Sequence, residues 1–236
     1  MTLPAPVGDR PVVGVDGHRG SWIVVRATPD RLTAERHGDL APLVNAVRGG
    51  EVAAAAIDMP MGLLADRPRR SDREARAVLG ARRSSVFPTP VRATLLADSY
   101  VDACDRSRET YGKALSIQAY NLLPAIRRLD ELIQPHDQDR IVEAHPECAF
   151  VRVTGEPLPS KRTAEGRAAR VEALTAALGA PFVALWEERS NTRDLPAIDL
   201  LDAAVLTLTA RHVVAGSAII LGGEIDERGL TAQIVY

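Results

Sequence analysis

At 236 residues, with 46% hydrophobic and 25% charged residues and a formal net charge of −2, the chain can bury a sizeable core and reads as an ordinary soluble globular protein. That balance excludes a wholesale basic coat for nucleic acid, although 29 Lys and Arg residues can still be concentrated locally. Two cysteines without paired spacing, Cys104 and Cys148, exclude a cysteine-based zinc knuckle; with no leader in Met1–Pro6 and no run near the roughly 20 apolar residues that cross a bilayer, a cytoplasmic protein with no membrane partner is expected.

The first expected element is a strand over Val12–Val15. β-Branched residues on both sides of Gly14 suit a strand buried on both faces, which has no use for a carboxylate in its middle, so Asp16 belongs at its end. The backbone then turns through Gly17 and Gly20, and Trp22–Val25 starts a strand antiparallel to the first. A carboxylate placed there serves metal or phosphate chemistry, or simply accepts local N–H groups in the turn. Arg31–Arg36 is expected as a third strand at the sheet's edge, and Ala41–Val47 as a helix stopped at Gly49-Gly50. Glu51 to Asp58 is a second apolar run closing on an acid, with Pro60 to end it. If it lies parallel to the first strand, Asp16 and Asp58 stand side by side as a candidate metal site.

From Met59 to about Arg140 the pattern turns to helices and loops, too long for a simple crossover and therefore expected as a mainly helical insertion, 59–140. Between Arg67 and Arg83 seven arginines (Arg67, Arg69, Arg70, Arg73, Arg76, Arg82, Arg83) meet two acids, Asp72 and Glu74. Ser71 followed by Glu74 predicts a capping box opening a short helix to Gly80, with a loop over Arg82–Pro88. Such a run is either a solvated face or a phosphate-binding surface of arginine forks and serine hydroxyls; the shortage of balancing acids favours the second. Helices are also expected over Ala93–Arg108 and Ser116–Gln134, the latter kinked at Pro124 with Arg127, Arg128, Asp130 and Glu131 on its wet side.

A strand signal returns at Arg140–Glu147 and ends at Pro146, with Glu143 and His145 on one face. Spacing does not decide between Glu143 and Glu147 as the acid that joins the others; Glu143, still inside the strand, is preferred. His145 alone is more often a packed or capping histidine than a ligand. Lys161 precedes a helix over Ala164–Leu178 that Gly179 stops, placed to meet a phosphate or to be solvated, and Phe182–Trp186 reads as a brief packing segment. Asp199 and Asp202 open a long apolar helix ending at Gly216 and share a face near its positive end. Asp199 also reads as a cap; Asp202, one turn in among apolar neighbours, needs a partner, and a metal ion is one. Ala218–Leu221 and Leu230–Val235 form a closing hairpin around Asp226–Gly229.

The order of these acids resembles that of the ribonuclease H-like fold, and the helical pair spaced by three is similar to that of its Holliday-junction resolvases. More closely, the chain resembles the bacterial and archaeal domain-of-unknown-function family 429, described as predicted nucleases of that fold. The likeness rests on Gly14-Val15-Asp16-Gly17, Arg19-Gly20-Ser21-Trp22, Ile57-Asp58-Met59-Pro60-Met61-Gly62-Leu63, Arg82-Arg83-Ser84-Ser85-Val86-Phe87, Glu143-Ala144-His145-Pro146-Glu147 and Asp199-Leu200-Leu201-Asp202-Ala203. His18 stands where the family often has a cysteine, and Asp199 is less typical than Asp202. The resemblance implies a single α/β domain over 1–236: a ribonuclease H-like mixed five-stranded sheet flanked by helices, with the insertion after strand four and a C-terminal hairpin.

The chemistry expected is metal-dependent hydrolysis of phosphodiester bonds, with Asp16, Asp58, Glu143 and Asp202 as catalytic ligands of two Mg²⁺ or Mn²⁺ ions. Arg19, Arg82, Arg83, Ser84, Ser85, His145 and Lys161 would bind the substrate, a nucleic acid or a phosphorylated small molecule. Two other readings stand beside it. One is ATP-dependent phosphoryl transfer, as in the sugar kinases and actin-like ATPases that share the core but normally duplicate it. The other is a non-enzymatic module that binds nucleic acid or a phosphorylated ligand through its arginines.

Overall fold

A computed structural model describes residues 10–190, 192 and 194–236; Met1–Pro6 lies outside them. Strands β1 (Val12–His18), β2 (Ser21–Ala27), β3 (Leu32–His37), β4 (Ala54–Ile57) and β5 (Ile141–Glu143) form one sheet in the order β3-β2-β1-β4-β5. β1 pairs antiparallel with β2 and β2 with β3, while β1 pairs parallel with β4 and β4 with β5. This is the mixed five-stranded sheet expected from the sequence. The β1–β2 turn is Arg19-Gly20 with φ of 44° and 79°, the primed two-residue turn whose twist suits a hairpin.

Strand alternation divides the core. Val12, Ile23, Val25, Ala54, Ala56, Val142 and Ala144 face α8 (Ala197–Val214) and the helices beside it, α5 (Pro146–Thr154), α6 (Ala164–Leu178) and α7 (Ala180–Arg189). Val13, Val15, Trp22, Val24, Ala55, Ile57 and Ile141 face the other way, toward α1 (Ala41–Arg48), α3 (Tyr100–Tyr111) and α4 (Ile117–Leu132). The hairpin of β6 (Ile220–Ile225) and β7 (Thr231–Val235) packs on α2 (Arg70–Leu79), and a single bridge from Val235 to Ala144 joins it to the end of β5. Among the described residues no helix is long and apolar enough to cross a membrane.

Several elements differ from their sequence readings. Arg69, not Ser71, is the N-cap of α2; the Ser71 hydroxyl is buried without a partner, and Glu74 accepts from the Gly222 N–H instead. Gly80–Ser85, expected partly as loop, is a 3-10 turn. The helix expected over 93–108 is split into a 3-10 turn at Arg92–Leu96 and α3, which begins at the N-cap Ser99. Pro146 both ends the strand and opens α5 at its first position, where a missing N–H costs nothing. Phe182–Trp186 belongs to the full helix α7. Asp130 of α4 is not on a wet face: Arg92 and Arg228 hold it.

Candidate active site

β1 and β4 run parallel with Val15 beside Ile57, so the next residue on each strand, Asp16 and Asp58, leaves the sheet in the same phase, toward α8. Gly14 makes the approach of that helix possible, because a β-carbon there would meet the Ala203 carbonyl oxygen at 2.0 Å. Asp202, next to Ala203 and 1% exposed, is thereby held under the two strand ends. Gly166 does the same service for the loop before α6, where a β-carbon would lie 2.0 Å from the Ser160 carbonyl oxygen. With Thr163 capping α6 through the Gly166 N–H, the loop delivers the Lys161 ammonium to Asp202 Oδ2 at 2.5 Å. The other oxygen, Asp202 Oδ1, is buried and has no hydrogen-bond partner.

The electrostatics follow from this crowding. Burial, then the charges of Asp202, Asp58 and Asp199, raise the Asp16 carboxyl well above the ordinary aspartate range, and Lys161 offsets only part of it. Burial also lifts Asp202 to about 6, with Lys161 pulling down and Asp58 and Glu147 pushing up. Burial alone would lower the Lys161 ammonium, but Asp202, Asp16 and Asp58 outweigh it and hold the lysine charged. Asp199 engages His18 at the mouth of the site, its Oδ2 lying 2.5 Å from the imidazole Nδ1.

Glu143, expected among the metal ligands, is elsewhere. It stands beside Ile57 on β5, one residue out of phase with Asp58, so it projects toward the face opposite α8. There Arg69 grips both oxygens, at 2.5 and 2.6 Å, and the Met61 N–H donates to one of them at 2.6 Å. Arg69 also donates to Asp72, which accepts from the backbone and hydroxyl of Thr89. The alternative acid, Glu147 in the first turn of α5, accepts at both oxygens from the fully buried Arg170, each bond 2.7 Å. Each glutamate is therefore spent on an arginine. The sequence hid this because Arg170 sits in mid-helix 23 residues from Glu147.

Above the aspartates opens a cleft of about 980 Å³. Of the residues expected to bind substrate, Arg19, Arg82, Ser84, Ser85, His145 and Lys161 line it, whereas Arg83 is exposed outside it. The His145 Nε2 lies 3.4 Å from the Ser85 carbonyl oxygen, and its Nδ1 is buried without a partner. Three of the seven arginines in the run are structural: Arg69 is buried on Glu143, Arg70 pairs with Glu74, and Arg76 donates to the Val86 carbonyl. Sequence reading missed Arg128 of α4, Arg162 beside Lys161, and His18, which all line the cleft.

Among the described residues no three acidic, histidine or cysteine side chains stand as a ready-made cage for an ion. The expected two-ion set does not fit, because Glu143 is closed by Arg69. A smaller set suits the chemistry of a hard cation: Asp16, Asp58 and the unpartnered Oδ1 of Asp202 are all oxygen donors, and a divalent charge would relieve their repulsion.

A family model described as "Protein of unknown function (DUF429)" matches residues 14–227. No curated protein and no solved structure matches the chain.

Proposed function

The chain belongs to the DUF429 family, and from that premise we propose that its cleft hydrolyses phosphodiester bonds of nucleic acid. The observation that carries this reading is the convergence of Asp16, Asp58 and Asp202 beneath a rim of basic side chains. Arg19, Arg82, Arg128 and Arg162 come from four separate elements around the cleft and make no ion pair among the described residues. Spread in this way, they suit the successive phosphates of a polymer better than the single cluster of a small ligand.

In the proposed reaction the rim arginines hold the backbone phosphates and place one phosphoryl group over the aspartates. Asp199 fixes His18 through Nδ1, which leaves Nε2 to accept the proton of the attacking water as its oxygen bonds to phosphorus; the bond from phosphorus to the leaving sugar oxygen breaks, and that oxygen takes a proton from solvent water. A divalent cation held by Asp16, Asp58 and Asp202 would supply neutralisation of the phosphoryl charge and a more acidic water. Lys161 adds a fixed positive charge beside the same oxygens. ATP-dependent transfer has less support, since the described residues form one such sheet and offer no second half to close on a nucleotide.

The test is cleavage of end-labelled DNA and RNA, single- and double-stranded, with Mn²⁺, Mg²⁺ or EDTA. Wild type is expected to cut at least one substrate in a divalent ion, and Asp16→Asn to lose about a hundredfold or more. Equal residual cleavage by both proteins removes the reading.

A further inference from the structure

Glu143 and Glu147 each lie on a buried arginine and Asp199 lies on His18 at the mouth, so the carboxylates that converge inside the site are Asp16, Asp58 and Asp202. One cation is already among them. Lys161 is no loose surface lysine: its loop is closed by the Thr163 N–H and hydroxyl, both bonded to the Ser160 carbonyl oxygen at 2.9 Å, and by the close seat of that oxygen on Gly166. Its ammonium covers Asp202 Oδ2 at 2.5 Å, while Oδ1 of the same carboxylate is buried and unpartnered.

We infer that Lys161 holds the place of one of two cations, so that this site takes a single divalent ion on Asp16, Asp58 and the free oxygen of Asp202. The inference rests on the hydrolytic reading and narrows it. The ammonium already places a positive charge at one edge of the three-carboxylate cluster, and what is left open on Asp202 is a single oxygen. A second ion would overcharge a pocket already rimmed by arginines, and to bridge through Asp202 Oδ2 at a metal–oxygen distance of roughly 2.1 Å it would have to expel the ammonium. The lysine is thus a permanent cation where a two-ion site would draw both of its cations from solution.

The experiment counts ions rather than turnover. The full chain is titrated with Mn²⁺, free ion being followed by its electron paramagnetic resonance signal, in wild type, Lys161→Met and Lys161→Gln. One Mn²⁺ per wild-type chain and two per variant chain are expected. Lys161→Gln keeps a hydrogen-bond donor for Asp202, so the count can be made even where Lys161→Met does not fold. Two ions on the wild type, none on it, or a single ion in all three proteins overturns the inference. Cleavage by wild type in the same buffer is scored separately: two ions with cleavage sinks the lysine's role alone, and one ion without cleavage under any condition sinks the hydrolytic reading alone.

Discussion

Gly14 and Ala203 touch through bare backbone, with no room between β1 and α8 for even a methyl group. The contact sets the depth at which Asp202 meets Asp16. Gly14→Ala must push the helix away, and overpacking of this kind costs about 1–3 kcal/mol. For a chain of this length each kcal/mol lowers the melting temperature by roughly 2–4 °C. The variant is expected to melt lower by that measure in a thermal scan, and to weaken Mn²⁺ binding as well, since the aspartates move apart. A variant as stable as wild type would mean that the helix sits farther from the strand.

Asp16 is a site where function costs stability. Its carboxyl binds a proton more tightly in the folded chain than in the unfolded one, first through burial and then through Asp202, Asp58 and Asp199. Stability is therefore full below the unfolded value near 3.8 and is lost as pH rises through the higher folded value, because the unfolded chain releases the proton first. Asp16→Asn removes that loss. In EDTA at pH 7 the variant is expected to melt at least about 2–4 °C above wild type, the gap closing toward pH 4. A variant that melts below wild type at pH 7 contradicts the crowding of charges described for the site.

The pair Arg170–Glu147 is expected to behave in the opposite way. Arg170 is fully buried, makes both its carboxylate bonds at 2.7 Å and stacks its guanidinium 5.2 Å from the Phe150 ring centre. Arg170→Met strands Glu147 in the core near Asp202, which by analogy with broken buried pairs costs about 3–5 kcal/mol. Urea unfolding should show this as a lower midpoint at unchanged slope. The double variant Arg170→Met, Glu147→Gln should recover part of the loss, because no charge is then left without a partner.

The sequence makes the strand-end aspartates legible for a simple reason: an apolar run that closes on an acid shows where a buried strand reaches the surface, and Asp16 and Asp58 both follow such runs. Asp202 is legible because a carboxylate in an otherwise apolar helix must be answered by something. What answers it was not legible, since Lys161 comes from a loop 41 residues away. The sequence reading of Glu143 is off by one residue of phase: three residues of β5 carry too little alternation to fix which side faces α8, and only the pairing of Ile57 with Glu143 decides it. The arginine run misled for a related reason. Charge is counted equally along a sequence, but burial sorted Arg69 into the core and left Arg82 on the cleft.

The arginine rim makes its own prediction through salt. Each phosphate contact releases condensed counterions, so the logarithm of affinity falls linearly with the logarithm of salt concentration, with a slope of about 0.7 per contact on single strands and 0.9 on duplex. Arg82 and Arg162 line the cleft, whereas Arg83 is exposed beside it. Binding of a labelled oligonucleotide, measured by fluorescence anisotropy in EDTA so that no cleavage intervenes, should therefore weaken for Arg82→Gln and Arg162→Gln. Each should also lower the slope by about one contact, and Arg83→Gln should leave it unchanged. Should all three variants reduce the slope alike, the nucleic acid lies across the outer face of the 80–85 turn and not in the cleft, and the phosphates do not pass over Asp16.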